Sequence, residues 1–94
     1  MASRELERIR NAILNQQYAL SEHAFVEMNA DSLDVLDVES EVLTGEIDQT
    51  LTQDTRGTRH RIIGLATDLA TSVAVVVRFV EHEQLLIITV YELE

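Results

Sequence analysis

The sequence predicts an α+β domain, with N-terminal helices packed on one face of a four-stranded antiparallel meander sheet. Three observations predict it. Apolar residues as far as Val42 recur at spacings of three and four, the helical period. From Ile47 the period shortens towards alternation, and β-branched residues accumulate. Finally, short turn-like segments separate the later runs, as expected for strands that return beside their neighbours. The 94 residues make a single domain, 1–94, with an N-terminal helix over 1–15 and a helix-and-sheet core over 18–94.

Each element has its own justification. Ser3 can cap a first helix reaching Asn15, in which Leu6, Ile9 and Ile13 form one stripe. The stretch NQQYAL breaks that stripe and leaves Tyr18 to Leu20 free to extend. Ser21 opens a second, short helix with Glu22 in its first turn, where the helix dipole favours an anion. Phe25, Met28 and Ala24 are expected to face inward. Asp34 caps a third helix with Asp37 three residues on, Val38 and Val42 form its buried rail, and Gly45 is its expected left-handed terminator. IDQTLTQ is expected as an edge strand with Ile47 and Leu51 on one side. TRGT turns the chain on a glycine at positive φ, and RHRIIGLA is the second strand. After the TDLAT loop, SVAVVVRFV is apolar enough to be central; EHEQ then turns into LLIITVYEL.

Side chains alternate across a strand, so Val73, Val75, Val77 and Phe79 share one side and Val76, Arg78 and Val80 the other. A symmetric EHEQ hairpin sets residue 78 opposite 87, which puts Leu86, Ile88 and Val90 with Val75 towards the helices. The outer face then carries Arg78, Thr89 and Tyr91 among Val76, Val80, Leu85 and Ile87, and such a face needs a cover. A one-residue slip of register would invert this assignment.

Composition narrows the function. Seventeen acidic residues oppose seven basic ones, all Arg, for a net charge of −10. Phosphate backbones repel such a chain at long range. There is no Cys for a disulfide or thiolate site, and no apolar run near the ~18 residues of a membrane span. MASRELERIR lacks an apolar leader core, so a cytoplasmic location is the expectation.

YALSEHAFVEM, DVESEVLTGEI, RGTRHRIIG and LIITVY resemble, in order, segments of a small bacterial family of unassigned function. The resemblance covers about residues 18 to 91, and its members look like relatives of RelE and BrnT type toxins. It implies an antiparallel sheet with helices on one face, mRNA cleavage on the sheet, and a small antitoxin partner. Ser21, His23, Arg56, Gly57, Thr89 and Tyr91 occupy the matching positions. Where members commonly carry basic residues in and after the second helix, this chain reads AFVEMNADSLD, without Arg or Lys.

Metal-independent RNA cleavage needs a base, a cation and an acid around one phosphate. The candidates are Arg61, Arg78, Tyr91, His60 and His23. Each also has a plain structural role open to it. His23 can tie helix to sheet, and a helix N-terminus disfavours a cationic ring. Arg56 and Arg59 can pair with Asp48, Asp54 or acidic helix residues at the surface. Arg78 can meet a carboxylate across an interface as well as a phosphate, and Tyr91 can simply pack its ring. His23, His60 and His82 have no metal-ligand spacing, and neither metal nor cofactor is expected. Two functions follow: a non-catalytic interaction domain that uses the sheet face for a homo-oligomer or partner, or an mRNA-cleaving toxin component. The charge favours the first.

Overall fold

The computed structural model describes residues 3–52 and 55–93. Among them lie helices α1 (Arg4–Leu14), α2 (Glu22–Ala30) and α3 (Val35–Thr44), and strands β1 (Tyr18–Leu20), β2 (Glu46–Leu51), β3 (Arg59–Leu65), β4 (Ser72–Phe79) and β5 (Leu85–Glu92). The helices begin where local chemistry sets them. Ser3 accepts from the Leu6 N–H and Ser21 from the Ala24 N–H, and Asp34 and Asp37 form a reciprocal capping box. Each cap satisfies a donor the helix cannot, and contributes on the order of 1 kcal/mol. No helix among the described residues is long and apolar enough to cross a membrane.

The class is α+β, but the sheet has five strands, not four, and is mixed. Its order is β1-β5-β4-β3-β2, with β4 in the centre, and β1 pairs with β5 in parallel. Tyr18–Leu20 is therefore a strand in its own right. The remaining pairs are antiparallel. Ile62, Val73, Val75, Val77, Leu85, Ile87 and Val90 join Leu6, Ile9, Ile13, Ala24, Met28, Val38 and Val42 in one buried cluster, so the helices share one face.

The β4–β5 register differs from the symmetric hairpin by one residue. Phe79 pairs with Leu85 and Arg78 with Leu86, so Leu85 and Ile87, not Leu86 and Ile88, enter the core. A 3₁₀ turn over Glu81–Glu83 causes this, because His82 and Glu83 both adopt positive φ and lengthen the loop. A bulge between the Val77 and Val76 pairs then restores Val90 to the core. A second bulge, at Asp48, separates Ile47 from Leu51, which lands on the opposite side. Phe25, expected inward, is 52% exposed; Ala24 and Met28 alone carry the buried side of α2.

Gly45 ends α3 with extended rather than left-handed backbone (φ −94, ψ 179). Its missing side chain matters for another reason: a Cβ there would approach the Ile63 carbonyl oxygen at 2.5 Å. Gly64 faces it, and a Cβ at that position would fall on the Glu41 carbonyl. The two glycines let α3 lie against β3 at backbone distance. The expected glycine turn is present at Gly57, with φ 115.

β1 covers only part of the β5 edge, and α2 guards the rest. The Ser21 hydroxyl donates to the Ile88 carbonyl (2.9 Å), the Val90 N–H donates to Glu27 (3.2 Å), and the Glu92 N–H donates to Asp31 (2.9 Å). Glu27 and Asp31 are four apart, so one helix face presents both acceptors to alternate residues of the strand.

Candidate functional site

The face opposite the helices is built from alternate residues of four strands. Arg61, Val76 and Thr89 lie in one row, Ile63, Ala74 and Tyr91 in the next, and Arg78 pairs with Leu86 beyond. Ile63, Leu65, Val76, Leu86 and Ile88 are half-buried there, not withdrawn into the core. The face is thus largely aliphatic, with the guanidinium groups of Arg59, Arg61 and Arg78 set in it.

Arg61 and Arg78 differ. Arg61 donates two hydrogen bonds to Asp48, from Nε to Oδ1 (2.9 Å) and from Nη2 to Oδ2 (2.6 Å), and a third to the Tyr91 hydroxyl (2.9 Å). The Asp48 bonds, then Tyr91, hold Arg61 firmly protonated, and the guanidinium in turn holds the Asp48 carboxyl below the usual carboxylate range. The bidentate fork is the geometry that suits Arg and a carboxylate. Asp48 is placed for it by the β2 bulge. Arg78, by contrast, makes no hydrogen bond or ion pair with any described residue, and its stem runs beside the Gly57 turn. It is half-buried.

The five candidate residues do not assemble into one cluster. Arg61 and Tyr91 touch, and Arg78 shares their face. His60 faces the other way, 8% exposed, with Nδ1 3.0 Å from the Thr50 hydroxyl and Nε2 3.3 Å from Glu5. It ties α1 to β2 and β3. His23 sits on the outside of α2, with its side chain 68% exposed and Nε2 3.2 Å from Glu27. It steadies the carboxylate that receives the Val90 N–H. His82 is an exposed turn residue. Arg56 and Arg59 both have interaction partners; Asp48 is committed to Arg61, and Asp54 lies outside the described residues. Among the described residues no three His, Cys, Asp or Glu side chains gather to hold a metal ion.

Three features went unread in the sequence. Glu27 and Asp31 guard the β5 edge, as described. Tyr18 donates to Glu39 (2.6 Å), and burial, then that bond, push its phenol up to about 12. Glu41 is fully buried, neither carboxyl oxygen has a hydrogen-bond partner, and burial pushes it up to about 9. It is therefore a neutral acid at pH 7. Its spacing from Val38 placed it on the apolar rail, which was the signal available.

Helices on one side of a mixed sheet, and on the other a largely aliphatic sheet face whose Arg78 has no partner among the described residues, define a small α+β domain with a face that no described element covers. The chain belongs to the family described as a domain of unknown function (DUF4258), which matches residues 20–92. That span leaves α1 and most of β1 ahead of the match. No match was found among curated proteins or among solved structures. The family match brings no activity with it, and nothing in these comparisons connects the chain to RelE or BrnT toxins.

Proposed function

We propose that the domain is a non-catalytic interaction module that binds a protein partner through its uncovered sheet face. The observation that carries this is Arg78: a half-buried guanidinium on an aliphatic surface, without a partner among the described residues. Burying an unpaired charge is costly, whereas a carboxylate brought by a partner makes the same position favourable. The aliphatic side chains around it supply the apolar area such an interface needs.

A ribonuclease toxin is the second reading, favoured by Arg61, Tyr91 and Arg78 sharing a face. Against it, Arg61 is occupied by Asp48, both candidate histidines lie elsewhere, and the chain repels phosphate overall. One experiment separates the two. The protein is induced in bacterial cells, and growth and mRNA integrity are followed. Intact message and normal growth are expected. Cleaved message, relieved by Arg78→Ala and by Tyr91→Phe, would overturn the interaction reading. Sedimentation of the purified chain over a concentration series then tells whether the partner is a second copy. If it is, Arg78→Ala shifts the distribution towards monomer.

A further inference from the structure

A second surface lies away from the sheet face, on the outer edge of β1. Leu85 N–H donates to the Gln17 carbonyl and Ser21 N–H to the Ile87 carbonyl, so Gln17, Ala19 and Ser21 turn their backbone groups towards β5. By the alternation of a parallel ladder, the N–H and C=O groups of Tyr18 and Leu20 point outward. No described strand pairs with that edge. It carries no proline, bulge or lysine; its only protection of this kind is its length of three residues.

Beside this edge lies a cavity of about 470 Å³, lined by Tyr18, Ala19, Leu20, Val35, Leu36 and Glu39, with Gln16 at one end. Leu36 is 63% exposed there. Glu39 is fixed at the rim by the Tyr18 hydroxyl. The segment that builds it has charge of one sign: residues 16–39, which run through β1 and α2 into α3, hold six carboxylates and no Lys or Arg.

We propose that the β1 edge takes an added strand from a partner protein, an extended segment in which apolar and Lys or Arg side chains alternate. Main-chain bonds to Tyr18 and Leu20 give it register. Its apolar side chains enter the cavity against Leu20, Val35 and Leu36, and its cations meet Glu39 and the surrounding acidic field. A second copy of this chain is unsuited as occupant, because it would bring its own net charge of −10 and the same acidic rim. This site is independent of the sheet face.

The test uses the full chain, labelled with ¹⁵N, and a capped synthetic peptide of alternating lysine and valine. Amide shifts are expected at Tyr18, Ala19 and Leu20 and from Val35 to Glu39, with affinity falling steeply as salt is raised. Leu36→Ser and Glu39→Gln should each weaken binding several-fold; both leave the backbone intact, and the glutamine can still accept the Tyr18 hydrogen bond. The same peptide with N-methylated alternate residues should not bind. Shifts centred on Val76, Arg78 and Leu86 would overturn the β1 site while agreeing with the sheet-face reading. Equal binding of a glutamate–valine peptide, or no shift at β1 with millimolar peptide, would also overturn it.

Discussion

Replacing Glu41 by leucine should make the protein more stable, and by an amount that grows with pH. In the folded protein the carboxyl is buried without a hydrogen-bond partner and its pKa is pushed up to about 9, against about 4.5 for the ordinary group. The folded state thus holds a proton that the unfolded chain releases. Between those two values the unfolded state binds fewer protons, so stability falls as pH rises. Each pH unit across this window removes about 1.4 kcal/mol, and the range from pH 5 to 7.5 removes roughly 3 kcal/mol. Leucine has no proton to lose and is close in volume. Urea denaturation of both proteins at several pH values isolates the effect, because every other titrating group is common to the pair. The stability difference should widen in favour of Glu41→Leu by roughly 3 kcal/mol between pH 5 and 7.5. Parallel curves, with a difference independent of pH, would show that the carboxylate finds water or a counter-charge in the folded state and would refute the reasoning.

Three further outcomes follow from single contacts. Gly64→Ala must drive a methyl group onto the Glu41 carbonyl and lift α3 from β3, so a loss of about 3 kcal/mol or more is expected in thermal unfolding followed by circular dichroism. Arg61→Met should return the Asp48 carboxyl to the ordinary carboxylate range, read from its ¹³C shift against pH, since the guanidinium is what lowers it. Glu27→Ala leaves the Val90 N–H without its acceptor; native-state hydrogen exchange at Val90 should quicken about five- to tenfold, corresponding to roughly 1 kcal/mol, while amides of the β3–β4 pair keep their protection.

What the sequence showed was what is decided locally. Ser3, Ser21 and Asp34 cap their helices because each reaches a donor only a few residues away. The β4 run is central because it is mostly apolar and rich in β-branched valine. His60 points away from Arg59 and Arg61, as alternation along a strand dictates. What escaped depended on distant partners or unusual backbone. β1 is three residues long, too short for any period to show, and exists through its pairing with β5. The hairpin register turned on His82 and Glu83 at positive φ, a conformation their side chains do not advertise. The Asp48 bulge had no signature either, although it decides that Arg61 is neutralised.

That neutralisation bears directly on what the sheet face can do. His60 and Arg61 are consecutive in a strand, so they point to opposite sides and cannot serve one phosphate. Removing His60 and the exposed His23 leaves Arg61, Arg78 and Tyr91 on the open side. An arginine does not act as a base at neutral pH, and the Tyr91 oxygen already accepts from Arg61. A proton acceptor for a ribose hydroxyl is therefore missing from that trio. Asp48 could be offered in its place, but a carboxylate held below its usual range by a bidentate guanidinium is a poor base, and releasing it would free the cation only by breaking the pair. Arg61, Asp48 and Tyr91 satisfy one another on this face, and Arg78 has no partner among the described residues. That arrangement supports the proposed interaction role over proton transfer.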